Sequence, residues 1–177
     1  MQGVDLLGFA GDCTITAKVT MFGDRLTDFL NGQERFHIHK VIFESLDDGH
    51  LVAEDSVSIT RDDLLAVIAS GPRGSEQQRV ELAETRMQLS IGPYLILGRV
   101  HTLPGTDPVS SVMQRDPMVP LTDATIAYSV AGNVVARDVG TLIVNRKLVD
   151  WIVPSADEAE VFPDSTVRAG YSIGATR

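Results

Sequence analysis

The chain has 177 residues, of which 15 are basic and 24 acidic, so its formal net charge is −9. With 44% hydrophobic and 22% charged residues, the composition is that of a globular protein, and the length allows one ordinary domain or two very small ones. The negative charge argues against nucleic acid as a partner, and the single cysteine, Cys13, excludes an intramolecular disulfide. The start of the chain has no leader-like segment, and no stretch approaches the roughly 20 apolar residues of a membrane span, so we expect a cytoplasmic protein without a membrane partner.

Short predicted strands dominate the first half of the chain. Residues 14–21, 36–45 and 51–59 are rich in β-branched residues and either alternate or run apolar. Between the first two runs, Leu26, Phe29 and Leu30 share one helical face, with Asp24 as the expected N-cap and Asn31-Gly32 as the expected end. Residues 60–69 allow two interpretations, a capping box from Thr60 to Asp63 or a bent strand.

The second half has the same order of apolar positions and turns. Residues 96–100, 109–113, 119–121, 124–126, 134–138 and 143–146 align with residues 15–19, 26–30, 36–38, 41–43, 51–55 and 57–61. Gly49 and Gly132-Asn133 mark a hairpin turn at the same place in each half. This pattern predicts an internal duplication.

The predicted fold is all-β with short helical turns, arranged as two tandem small β-barrel-like repeats. The repeats cover residues 1–70 and 80–153, joined by a linker rich in Gly, Pro and polar residues at 71–79. Residues 154–177 are expected to form a flexible acidic tail. Residues 1–70 hold five basic and twelve acidic residues, whereas residues 80–153 hold six and seven, so the two repeats differ in charge.

Several stretches resemble an uncharacterised family of small bacterial domains with the pattern G-x-V, R-L-S-D-x-L-N, F-x-x-L-T-D-A and V-N-R. The stretches are residues 25–31, 98–101, 118–124 and 142–146, and each half carries only part of the pattern. The resemblance implies a grouping and no activity. A second resemblance is to Sm-like small barrels, in which an Arg precedes apolar residues by four and seven positions. Here Arg61, Leu65 and Ile68 match this spacing, as do Asn145, Val149 and Ile152 with Asn replacing Arg.

His37 and His39 form the sharpest candidate site. Residues i and i+2 of a strand point to the same side, so both imidazoles could hold one divalent metal. Glu44 completes an H-x-H-x4-E spacing similar to the first metal motif of cupins, but the glycines of that motif are misplaced. Strand parity also turns Glu44 to the opposite face unless a bulge intervenes. The alternative is that both histidines are simply the polar face of a half-buried strand.

No hydrolase, nucleotide-binding or zinc-protease motif is present, and no cofactor is expected. Nothing basic surrounds Cys13, and Asp12 would raise its pKa, which argues against a nucleophile. We therefore expect a non-catalytic protein-binding or assembly module that uses barrel edges and unequally charged faces, with a protein partner or self-association. Arg25, Asp28 and Trp151 are its candidate interaction residues. The alternatives are a small metal-binding cupin-like enzyme or sensor using His37 and His39, and an Sm-like nucleic-acid-binding ring.

Overall fold

The computed structural model describes residues 2–23, 25–69 and 82–155. Both halves of the chain show the same order of elements: two strands, a short helix, two strands, a 3-10 turn and a last short strand. The first half comprises β1 (Gln2–Phe9), β2 (Cys13–Met21), α1 (Leu26–Gly32), β3 (Arg35–Ser45), β4 (Leu51–Thr60), the turn Arg61–Asp63 and β5 (Ala66–Ile68). The second comprises β6 (Ala83–Ile91), β7 (Tyr94–Thr102), α2 (Pro108–Met113), β8 (Met118–Val130), β9 (Asn133–Asn145), the turn Arg146–Leu148 and β10 (Trp151–Pro154).

All ten strands belong to one antiparallel sheet in the order β10-β6-β7-β8-β9-β5-β1-β2-β3-β4. The all-β prediction with short helices is therefore confirmed. Within each half the order is the same, and the pairing of β9 with β5 joins the halves. The sheet is continuous and its hydrogen-bonded order is not closed, so the division into two tandem barrels stays a prediction, as does the duplication.

The apolar faces of the strands form two hydrophobic clusters, and each cluster contains residues from both halves. The first consists mainly of residues from β1 to β5 but includes Met118 and Ile143 of the second half. The second consists mainly of residues from β6 to β10 but includes Phe9, Ala66 and Ile68 of the first half. Because each hydrophobic cluster includes side chains from both halves, the two halves pack directly against each other.

A bulge interrupts the same long strand in each half. The register between β2 and β3 shifts between Thr16 and Lys18, and the register between β7 and β8 shifts between Leu97 and Arg99. Beside these shifts Lys40 has φ 50° and Asp123 has φ 46°, the left-handed region that few residues other than glycine adopt. Each bulge inserts one extra residue into its strand. The alternation of side chains between the two faces of the sheet therefore shifts by one position across the bulge.

Local predictions fare differently along the chain. The helix predicted over residues 24–32 is α1, although Asp24, its expected N-cap, lies outside the described residues. The ambiguity at residues 60–69 resolves into both alternatives, because a 3-10 turn with the predicted capping box of Thr60 and Asp63 precedes the short strand β5. The predicted linker and all but the first two residues of the predicted tail lie outside the described residues, while Pro154 ends β10.

Candidate functional site

His37 and His39 lie side by side on the exposed face of β3, as the strand parity predicts. The cross-strand partner of His39 on β2 is Lys18, whose Nζ lies 2.8 Å from Asp5 Oδ1. The Asp5 carboxylate compensates the charge of this ammonium, so the histidine pair lies beside a surface ion pair.

Glu44 is turned to the same face as the histidines, because the bulge at Lys40 supplies the change of parity that the sequence spacing lacks. It nevertheless lies well beyond His39 along the strand, since their partners on β2, Thr14 and Lys18, are four residues apart, about 13 Å at the usual strand rise. Its carboxylate accepts a hydrogen bond from Thr14 Oγ1 at 3.3 Å. Within residues 2–23, 25–69 and 82–155, no three His, Cys, Asp or Glu side chains come together as a metal site would require. The cupin-like alternative stays a prediction.

Arg25 and Asp28 lie at the start of α1, where they line a shallow depression of about 240 Å³. Phe22, whose side chain is 76% exposed, forms another wall of this depression. The depression is open and smaller than the usual pocket for a small-molecule ligand.

Cys13 begins β2 and is partly buried. Burial, together with the hydrogen bond and negative charge of Asp12, raises the pKa of its thiol to about 11. At neutral pH the thiol is therefore protonated and a poor nucleophile, in agreement with the sequence-based expectation.

A second depression, of about 500 Å³, lies over the bulge of the second half, and its lining includes Arg86, Arg99, Asp123 and Asp138. Arg99 Nη1 lies 3.1 Å from Glu84 Oε2, and Asp138 Oδ1 accepts a hydrogen bond of 2.7 Å from Thr125 Oγ1. These contacts give Arg99 and Asp138 partners within the described part of the chain.

The outer edges of β4 and β10 are the two ends of the sheet. Arg61 N–H donates to Glu34 C=O at 2.7 Å just beyond the strand pair, and this bond fixes which residues of β4 bond to β3. By the alternation of an antiparallel ladder, the N–H and C=O of Ser58 therefore point away from β3 and outward. On β10, Ser155 N–H donates to Arg86 C=O at 2.9 Å, so Ile152 points outward in the same way.

Apolar side chains accompany these open edges. Leu51 and Val52 at the start of β4 are 60% and 44% exposed, and Trp151 and Val153 of β10 are 42% and 45% exposed. Trp151, the predicted interaction residue, therefore stands on an open edge strand, far along the sheet from Arg25 and Asp28. The structure does not bring these three predicted interaction residues into one site.

The junction between the halves uses residues whose role the sequence did not reveal. Asn31 Oδ1 accepts from Met118 N–H at 2.9 Å while Asn31 Nδ2 donates to Met118 C=O at 3.0 Å, so one amide side chain pairs with the end of β8 as a strand would. Asn145 is fully buried, and its amide nitrogen lies 3.4 Å from both Leu64 C=O and Asp62 Oδ1. Both asparagines belong to the stretches that carry the family resemblance, which was the one signal that could have marked them.

Tyr94 also crosses the junction. Its hydroxyl donates to Ala10 C=O at 2.6 Å, and its ring packs edge-on against Phe9 and Tyr128 with centroids 5.3 and 5.5 Å away. Burial raises the pKa of Tyr94, so the hydroxyl remains a hydrogen-bond donor across the physiological range. The three rings are buried and pack against one another at the junction between the halves.

Within the described ranges, no helix has the length and apolar character needed to cross a bilayer. Comparisons of the chain with protein-family models, with curated proteins and with solved structures give no match.

Proposed function

We propose that the chain is a non-catalytic assembly module that binds other protein chains through the open edges of its sheet. The observation that carries the proposal is the pair of edge strands, β4 and β10, with outward main-chain groups at Ser58 and Ile152 and with exposed apolar side chains at the start of β4 and along β10. Edge strands of this kind pair readily with a further strand, with main-chain hydrogen bonds providing affinity.

Charge supports the use of the two edges for different contacts. The first half, which contains the β4 edge, carries five basic and twelve acidic residues within 1–70. The second half, which contains the β10 edge, is nearly balanced in charge within 80–153. A partner strand with basic flanks would favour the β4 edge, because unlike charge accelerates and orients association.

The chemistry of the remaining polar groups also supports a binding role. The thiol of Cys13 is protonated at neutral pH, and over the second bulge Arg99 pairs with Glu84 while Asp138 bonds Thr125. The polar side chains that are most buried, such as Asn145, hold the junction together. The proposal assigns these groups to architecture and binding to the edges.

The proposal is tested by capturing proteins on the immobilised full chain and on two edge-blocked variants, Ser58→Pro and Ile152→Pro. A proline at either position removes an outward N–H while leaving the ladder to the inner neighbour intact. The control is Ala53→Pro, nearer the start of β4, where the N–H also points outward, because the bond from Ser45 N–H to His50 C=O makes Val52 and Glu54 the residues that bond to β3 on that side of the bulge. Circular dichroism checks the folding of every variant. We expect at least one protein to be retained by the wild type and the control and lost from one edge-blocked variant. If both edge-blocked variants retain the same proteins as the wild type, the proposal is contradicted.

A further inference from the structure

The junction between the two halves is an edge-to-edge strand pairing. Ala66, Val67 and Ile68 of β5 pair with Val144, Ile143 and Leu142 of β9. All six side chains are buried. The internal junction thus shows the register in which an edge strand of one half pairs with an edge strand of the other.

The two ends of the sheet are formed by the strands equivalent to this pair, and at each end the outer edge faces no further strand among the described residues. β10 occupies in the second half the place of β5 in the first: Leu65 N–H donates to Phe9 C=O at 2.8 Å, and Asp150 N–H donates to Ser90 C=O at 2.9 Å. β4 likewise corresponds to β9: Arg61 N–H donates to Glu34 C=O at 2.7 Å, and Arg146 N–H donates to Pro117 C=O at 2.8 Å. These matched bonds align Ser58 with Ile143 and Ile152 with Val67.

We infer that copies of this chain associate head to tail, with β4 of one copy pairing antiparallel with β10 of the next in the register of the internal junction. This inference rests on the proposed function, since it names the partner of the same edges. The equivalences place Ile59 opposite Trp151, Ser58 opposite Ile152 and Val57 opposite Val153. The exposed rings and branched side chains of β10 then become covered, as their counterparts in β5 are.

The intermolecular pairing has fewer hydrogen bonds than the internal one. At the junction, Asn145 N–H donates to Leu65 C=O at 2.9 Å and Ala69 N–H donates to Thr141 C=O at 3.1 Å, one on each flank of the central pair. The counterpart of Ala69 is Pro154, which has no N–H. The counterpart of Asn145 is Thr60, whose N–H already donates to Asp63 Oδ2 at 2.7 Å. The contact therefore depends on the Ser58–Ile152 pair, which makes it weaker than the junction and reversible.

Charge favours head-to-tail pairing over pairing of like edges. Two β4 edges would bring together two halves that each carry seven more acidic than basic residues within 1–70, whereas a head-to-tail contact places one such half against the nearly balanced half of its neighbour. A head-to-tail contact is heterologous, so it produces a closed ring or an open chain according to the rotation between copies.

The inference is tested by sedimentation velocity of the full chain over a wide concentration range, with two variants that act in opposite directions. Ser58→Pro removes the central outward N–H and is expected to weaken association at least tenfold. Pro154→Ala supplies an N–H opposite Ser56 C=O and is expected to tighten association roughly two- to tenfold, the worth of one net hydrogen bond. The matched controls are Ala53→Pro, outside the three-residue overlap, and Pro104→Ala, an exposed turn proline remote from both edges; both are expected to sediment as wild type.

Opposite shifts in Ser58→Pro and Pro154→Ala, with unchanged controls, support the inference, and the gain in Pro154→Ala cannot arise from misfolding. Association that Ser58→Pro leaves intact overturns it in favour of β10 pairing with β10. A wild type and a Pro154→Ala variant that both remain monomeric at every concentration overturn self-pairing. If edge-dependent capture of another protein is then found, only the identity of the partner fails. If no edge-dependent capture is found, the proposed function fails as well.

Discussion

Asn31 and Asn145 show how a single side chain can replace main-chain pairing. A carboxamide has the same donor and acceptor as a peptide group, so Asn31 can bind both polar atoms of Met118 where no strand is present to do so. The two bonds connect α1 of the first half to β8 of the second. The loss of such a partner destabilises the folded state, because the buried main-chain N–H is then bonded neither to protein nor to water.

We predict that Asn31→Ala lowers the free energy of unfolding by about 1–3 kcal/mol, since it leaves the N–H of Met118 without its partner. Urea unfolding followed by circular dichroism measures the change. Asn133→Ala is the matched control, because Asn133 is the exposed first residue of β9 and its side chain makes one weak bond of 3.3 Å to Ala131 C=O. Equal effects of the two substitutions would show that the Asn31 bonds contribute nothing specific.

At this scale the sequence predicts which face a residue occupies but not its distant partner. The spacing of His37 and His39 correctly predicts that both lie on the exposed face of β3. It cannot reveal that Lys18 lies opposite His39, because that neighbour is set by the register of β2 with β3. The partner of Asn31 lies 87 residues away and is equally invisible to local pattern.

The bulges act at the scale of elements, because each lets a long strand bend without exposing its apolar face. In the second half the bend brings β8 close to β7 at Gly98. A Cβ at this position would lie 3.0 Å from Leu121 Cβ and 3.2 Å from Ala124 Cβ. The glycine of the G-x-V stretch and the bulge within the L-T-D-A stretch are thus two parts of one packing arrangement.

Gly98→Ala is accordingly expected to destabilise the protein by about 1–3 kcal/mol, the usual cost of overpacking a closed core. Thermal unfolding monitored by circular dichroism is the measurement. Gly3→Ala serves as the control, since a Cβ on Gly3 of β1 meets nothing within 4 Å. If Gly98→Ala is as stable as Gly3→Ala, β7 and β8 are not in the close contact described here.

Hydrophobic periodicity predicts the long elements well and the short ones poorly. The runs that became β2, β3, β4 and α1 carry enough alternating or helical positions to fix their type. β5 has only three residues, and its apolar run Ala66–Ile68 is compatible with helix or strand. Its strand conformation is imposed by β1 and β9 on either side, which is information that no local window contains.

At the scale of the whole molecule, the sequence predicts the order of elements in two halves but cannot predict which edges meet. A small barrel closes when the two edge strands of its sheet pair, here β5 with β4, and an open sheet results when a neighbouring half takes the place of that pairing. Here β5 turns its outer edge to β9, and the halves share one sheet. The choice depends on the register and burial at residues 66–68 and 142–144, which become apparent only when the halves are placed side by side.

The shared cores predict that both halves unfold in one transition. Unfolding of the second half alone would remove Met118 and Ile143 from the first core, and a loss of two such side chains at about 2–5 kcal/mol each is comparable to the whole stability of a small domain. Trp151 is the only tryptophan and lies in the second half, so its fluorescence reports that half while far-UV circular dichroism reports both. In a urea titration the two signals should have the same midpoint. Tyr94→Phe, which removes the 2.6 Å bond to Ala10 C=O, should lower that midpoint while keeping the two signals coincident. A fluorescence transition that precedes the circular dichroism transition in the wild type would show that the halves are independent folding units.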